Sequence, residues 1–204
     1  MKKLLSVMIG LVIGAVCFAQ ALVPVAINGG KNATEIVENT SSTLSFTSKL
    51  SEFSLTRTIE NGEIYSKIAI DGYITNNQIG YPQLPVMVKM IEVPMGAEIV
   101  TNVTVNSEKV VSLADAGFEQ VIVPCQPSLF KNQQKEDVPF EKNKIYAEGG
   151  LYSPEMVTIE EAGIMRGIRL VKVVVSPFAY DIADNALTVC DDISVTLSFR
   201  NADQ

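Results

Sequence analysis

From residue 46 onward the chain alternates apolar and polar side chains at period two, the pattern of a strand with one face turned inward. In Phe53-Ser54-Leu55-Thr56-Arg57-Thr58-Ile59 the apolar residues mostly share one face and hydroxyls the other. Asn61-Gly62 follows, a pair that tolerates the positive φ of a type I′ turn. Ile64 to Ile70 then reads as the return strand, making the clearest hairpin of the chain. Further strands are predicted over Val86–Val93, Ile99–Asn106, Val110–Leu113, Phe118–Val123, Met156–Ile159, Ile168–Val175, Ala186–Val189 and Ile193–Phe199. No window of a dozen residues carries an i, i+3, i+4, i+7 stripe. Many short strands with turn residues between them predict an all-β fold, an antiparallel β-sandwich. Val171 to Val175 is apolar at most positions, which predicts a central strand covered on both faces.

Two stretches escape the alternation. Residues 22–45 are rich in Asn, Thr, Ser and Gly and read as a flexible N-terminal segment. Residues 124–154 hold Pro124, Pro127, Pro139, Pro154 and Gly149-Gly150 around a fully polar middle, Lys131 to Asp137. This predicts one long irregular loop. Such loops inside compact domains are uncommon and tend to carry function.

The first 21 residues read as a signal peptide rather than part of the fold. Lys2 and Lys3 precede an apolar run from Leu4 to Phe18, and Ala19-Gln20-Ala21 offers a cleavage site, with a cut after Ala19 equally plausible. The run is short for a membrane-spanning helix. Val16 is too bulky to make Cys17 a lipid-anchor site. The chain is therefore expected to be secreted or displayed at a cell surface, through periplasmic transit in a bacterium. With the leader gone the net charge falls from −7 to −9. An acidic chain without a basic stripe is a poor binder of nucleic acid or anionic membrane.

The sequence has no histidine and no tryptophan. The missing histidine excludes Ser-His and Cys-His nucleophile pairs and imidazole-bearing zinc sites. No cofactor or metal is expected. Cys125 and Cys190 remain after the leader; they either pair in an oxidising compartment or stay as two separate buried thiols. The acidic pairs Asp191-Asp192 and Glu160-Glu161 lack the Gly-containing Asp/Asn alternation of a calcium loop and read as solvated turn residues. Arg166 and Arg169 flank Gly167 at the start of a strand and read as surface ion-pair partners.

Two elements go beyond composition. Gly80-Tyr81-Pro82-Gln83-Leu84-Pro85-Val86 is a stiff corner, since each Pro fixes φ, and it leads into an apolar strand ending at Val93-Pro94. Arg166 to Phe199 reads as three strands, with Arg166-Gly167, Pro177, Tyr180 and Leu187 in order. In order and spacing the two together resemble the propeptide of gingipain-type cysteine peptidases, family C25. The resemblance covers residues 46–200, with 201–204 as a tail or a truncated link to a catalytic domain.

The resemblance implies a non-catalytic domain that inhibits a cysteine peptidase and assists its folding by occluding the active-site cleft. The partner is the catalytic domain, in cis in a longer precursor or in trans. In that family a propeptide loop lies across the cleft and a basic side chain enters the specificity pocket. Lys131 falls at that position, seven residues after Pro124 and eight before Pro139, with Phe130 and Asn132 beside it and Lys135 as the alternative. An Arg-specific member would carry Arg there. The competing reading is a secreted surface or carbohydrate-binding β-sandwich module with no peptidase partner, although sugar faces usually stack on aromatic rings and Trp is absent.

Overall fold

The computed structural model describes residues 21–134 and 137–202. The predicted signal peptide, apart from Ala21, lies outside the described residues, as do Lys135 and the last two residues of the tail. In chain order the strands are β1 (Val23–Ala26), β2 (Ala33–Asn39), β3 (Thr43–Lys49), β4 (Glu52–Glu60), β5 (Glu63–Ala69), β6 (Ile74–Thr75), β7 (Pro85–Val93) and β8 (Glu98–Ser112). After a long irregular stretch come one helical turn, α1 (Ile145–Glu148), and β9 (Leu151–Tyr152), β10 (Val157–Met165), β11 (Ile168–Val175), β12 (Phe178–Asp181) and β13 (Ala186–Arg200).

All named strand pairs are antiparallel and form three sheets: β1-β4-β5, β10-β11-β7-β6, and β2-β3-β13-β12-β9 with β8 also on β13. β13 is the spine. One edge pairs with β8 over its whole length; the other pairs with β12 at Ala186–Val189 and with β3 at Asp192–Ser198. It therefore serves two cores. Leu187 and Val189 join Phe53, Leu55 and Ile68 of the three-stranded sheet in one. Ile193, Val195 and Leu197 meet Val171, Val173 and Val175 of the four-stranded sheet in the other. This is the predicted sandwich, with a second layer over one end.

The predicted hairpin is present. Glu60 pairs with Glu63, and Asn61 and Gly62 take φ of 49° and 78°, as a type I′ turn demands. Four expectations need correction. Residues 22–45 are not a loose segment: Val23–Ala26 pairs with β4, and Ala33–Asn39 with β3. β2 is exposed along its entire length, so it had no buried face to write an alternation. Ile99–Asn106 and Val110–Leu113 are not separate strands but fall almost entirely within the single β8, and 186–189 and 193–199 are one β13. The polar breaks in both coincide with a β-bulge at Cys190–Asp192, where one core gives way to the other. Phe118–Val123 makes only an isolated bridge, Ser66 to Ile122. Finally, β11 lies inside its sheet, but only Val171, Val173 and Val175 are buried; Lys172 and Val174 on its other face are half-buried.

The charged pairs also moved. Asp191 is buried at the bulge and accepts the Asn28 amide at 3.2 Å, so it is not a solvated turn residue. Glu160 and Glu161 lie within β10, where Lys172 pairs with Glu160 at 2.7 Å and Arg169 pairs with Glu161. Arg169 also donates to the Ala97 carbonyl at 2.6 Å, so it ties β11 to the turn before β8.

Candidate functional site

The irregular stretch after Pro124 is a loop on two tied feet. Its first foot is stitched to β5, since Ser66 N–H donates to Val121 O and Val123 N–H to Ser66 O, both at 2.9 Å. It then runs along the stiff corner: Gln83 N–H donates to Val123 O at 2.9 Å, Cys125 N–H to Tyr81 O at 2.8 Å, and Gly80 N–H to Cys125 O at 2.8 Å. The second foot returns to the same place, with Asn143 N–H donating to Gly80 O at 3.0 Å. Gly80 has φ of 80°, and a Cβ there would meet Asn143 N at 3.1 Å. Glycine is needed for both reasons.

Aromatic and charged contacts hold the second foot down. Phe140 packs on Tyr65 with ring centroids 6.0 Å apart. Lys142 lies 3.4 Å from Glu63 and over the rings of Tyr65 and Tyr146 at 5.4 and 5.6 Å. The Tyr65 hydroxyl donates to Glu63 at 2.5 Å; that bond, with the Lys142 ammonium second, holds the Glu63 carboxyl below its usual value. Tyr146, just beyond, donates its hydroxyl to Ile122 O at 2.8 Å and so ties one foot to the other.

Between the feet the loop narrows to a clamp. The Gln126 side chain donates to Glu141 O at 2.8 Å and accepts from Glu141 N–H at 3.0 Å. Beyond it, Pro127 and Pro139 stiffen the two arms. A cleft of about 680 Å³ separates the arms from β5, lined by Lys67, Gln83, Pro124, Leu129, Val138 and Phe140 among others.

At the tip the chain reverses. Gln133 N–H donates to Phe130 O at 3.0 Å, and Phe130 N–H donates to the Gln133 side-chain oxygen at 3.1 Å. Lys131 and Asn132 are thus the two central residues of a turn, and both are exposed. Phe130 is 73% exposed and Leu129 46%. The structure therefore brings Phe130, Lys131 and Asn132 together at the point of the loop. Sequence reasoning missed Gln126 and Gln133, which brace it; side-chain amides inside a polar run carry no pattern that sets them apart.

Cys125 and Cys190 are free thiols. Cys125 is buried at the loop foot and donates its thiol to Asn76 Oδ1 at 3.0 Å; burial pushes that thiol up to about 11. Cys190 packs in the other core, among Met87 and Val93. The disulfide alternative falls, and the two-thiol alternative describes the fold. Among the described residues no helix is long and apolar enough to cross a membrane.

The family model Propeptide_C25 matches residues 31–204. The chain belongs to the Propeptide_C25 family. As a member of this family it is a non-catalytic precursor segment. The propeptide is similar to Lys-gingipain and Lys-gingipain W83 of Porphyromonas gingivalis, 31% identical to each over 205 residues. Those alignments cover all of this chain and 12% of either relative, so the propeptide spans about one eighth of their length. Among solved structures it is similar to one concerned with the zymogenic latency of gingipain K from the same organism, at a TM-score of 0.82 and 30% identity, covering 89% of this chain and 100% of that one. A complex of the RgpB pro- and mature domains, also from that organism, shares the fold at a TM-score of 0.66 and 17% identity, over 86% of this chain and 88% of that one.

Proposed function

We propose that this propeptide silences a gingipain-type cysteine peptidase and assists its folding, with the loop between Pro124 and Pro139 laid across the active-site cleft and Lys131 in the specificity pocket. The observation that carries the reading is the placement of Lys131: an exposed cation at the turn of a loop braced at both feet and clamped at its neck. A loop already held in shape loses little conformational freedom on docking, so more of the contact energy appears as affinity. Exposed Phe130 beside Lys131 adds about 1.5–3 kcal/mol if the cleft covers it. The relatives support the partner: they are named Lys-gingipain, and the two solved structures concern zymogenic latency and a pro–mature complex. Lys131 suits a pocket that selects lysine, because an ammonium is a compact point charge and not the planar fork of arginine. Secretion through the leader at 1–21, with the peptidase in cis or in trans, completes the proposal.

The test is inhibition of the Lys-gingipain catalytic domain from Porphyromonas gingivalis by the purified chain. Inhibition at submicromolar chain is expected, weakened at least about 30-fold by Lys131→Ala, the factor for removing one partner of a desolvated charge pair. No inhibition at micromolar chain, together with binding to a glycan surface, would favour the carbohydrate-binding alternative. Inhibition that Lys131→Ala leaves unchanged removes the pocket anchor while occlusion stands.

A further inference from the structure

We infer that Gln133 makes Lys131 a bait that lysine-specific peptidases do not cut, by locking residues 130–133 in a closed turn. The inference rests on the inhibitory reading above, because an exposed lysine offered to a peptidase that cleaves after lysine is otherwise a substrate. Two bonds close the turn. Gln133 N–H donates to Phe130 O at 3.0 Å, and the Gln133 side-chain oxygen accepts from Phe130 N–H at 3.1 Å. The bond at risk, Lys131–Asn132, is the central peptide of that turn.

Geometry decides between bait and substrate. A peptidase positions its substrate as an extended strand, with main-chain groups paired to the enzyme on both sides of the bond it breaks. Cleavage also needs the nucleophile within about 3–3.5 Å of the carbonyl carbon in an aligned approach. In a closed four-residue turn the chain doubles back directly after Asn132. Lys131 can enter a pocket while the residues that follow leave the cleft. The Phe130 N–H and O that an enzyme would pair with are already taken by Gln133. A second reciprocal pair joins Gln134 to Asp137: Gln134 N–H donates to Asp137 Oδ2 at 3.0 Å and Asp137 N–H to Gln134 O at 3.1 Å. The neck is closed by a separate pair of bonds between Gln126 and Glu141. Gln133 is a positioning residue in this account and need not touch the enzyme.

The test uses the full chain and three variants. Gln133→Pro removes both the donor and the acceptor and pushes Asn132 out of turn geometry. Gln133→Ala removes only the side-chain acceptor, and Gln133→Glu restores an acceptor oxygen. Each is incubated with lysyl endopeptidase and, separately, with the Lys-gingipain catalytic domain, and fragments ending at Lys131 are followed by mass spectrometry. Hydrolysis at that bond is expected at least about tenfold faster in Gln133→Pro than in the wild type, with Gln133→Ala between and Gln133→Glu close to wild type. Inhibition of Lys-gingipain is expected to begin in the variants and then decay as the loop is cut. Equal cutting of all four chains at Lys131 by lysyl endopeptidase overturns the lock whatever the inhibition assay shows. Wild-type resistance to lysyl endopeptidase with no inhibition of Lys-gingipain sinks the inhibitory reading instead and leaves the lock supported.

Discussion

Gln126 grips both backbone polar groups of Glu141, fifteen residues later, donating to its carbonyl at 2.8 Å and accepting from its amide at 3.0 Å. One side chain thus performs the role of a neighbouring strand. It closes the neck of the loop, and of the described residues 127–134 and 137–139 lie beyond it.

Removing the grip frees the arms without touching a core. Two hydrogen bonds of about 0.5–1.5 kcal/mol each hold the neck. Gln126→Ala is therefore expected to weaken inhibition by about 5- to 150-fold through loop disorder. The melting temperature stays within a few degrees, because both feet remain stitched to Ser66 and to the Gly80–Gln83 corner. Amide hydrogen exchange over 127–140 should speed up. A variant with wild-type exchange and a raised inhibition constant contradicts this account.

Lys131→Arg asks which cation the pocket takes. Arginine has the same charge, so an assay sensitive only to charge would show no change. If the pocket selects lysine, the guanidinium fits worse and loses the tight ammonium contact. Inhibition of a lysine-specific peptidase is expected to fall by about tenfold, while inhibition of an arginine-specific one improves. Equal inhibition of both enzymes by both chains would mean that residue 131 does not set the preference.

Strands with one buried face were legible in the sequence, and strands without one were not. The β4–β5 hairpin was readable because Phe53, Leu55 and Ile68 face a core and Asn61-Gly62 names its turn. β2 was invisible because it buries nothing. β8 and β13 each looked like two strands because the bulge at Cys190–Asp192 breaks the alternation as the strand passes from one core to the other. The corner at Gly80–Pro85 was legible as stiff but not as the dock for both feet of the loop, since those bonds use backbone atoms that any residue supplies. Lys131 was singled out through the family likeness, and its pocket role is a proposal. Gln126 and Gln133 needed coordinates.

The second foot carries a pH dependence. The Glu63 carboxyl is held below its usual value by the Tyr65 hydroxyl first and by Lys142 second. A lowered carboxylate adds stability that is present above its unfolded value and lost as pH falls through its lowered folded value. Wild type should thus outlast Glu63→Gln in thermal unfolding at neutral pH, with the gap closing as pH falls below the usual glutamate value. Glu63 is exposed, so the gap is small. A gap that is constant down the whole range would show that the carboxylate charge is irrelevant there.

Tyr180 ties the β12–β13 turn to the first foot of the loop. Its hydroxyl donates to Asn185 Oδ1 at 2.6 Å and accepts from Ile122 N–H at 3.3 Å, inside the core. Burial pushes the hydroxyl up to about 12, so it stays protonated at any working pH. Tyr180→Phe keeps the ring and leaves the buried Ile122 N–H and the half-buried Asn185 side-chain oxygen without their partner, at a cost of about 1–3 kcal/mol. The melting temperature is expected to drop by about 2–10 °C for a domain of this size. No drop would mean that Ile122 N–H and Asn185 find other partners.

Gly80 couples the fold to the loop, and the coupling can be measured. Its φ of 80° costs an L-residue about 1–2 kcal/mol, and an added Cβ would press on Asn143 N at 3.1 Å. The strain is relieved most readily by releasing Asn143, because the other Gly80 bond, to Cys125 O, lies on the foot that is also held by Gln83 and Ser66. Gly80→Ala is therefore expected to lower stability by about 1–2 kcal/mol and to raise amide exchange at 140–148 more than at 121–125. Inhibition is expected to weaken in step. Uniform loosening of both feet would show that the corner acts as one block, and unchanged inhibition with a loosened second foot would show that the first foot alone places the tip.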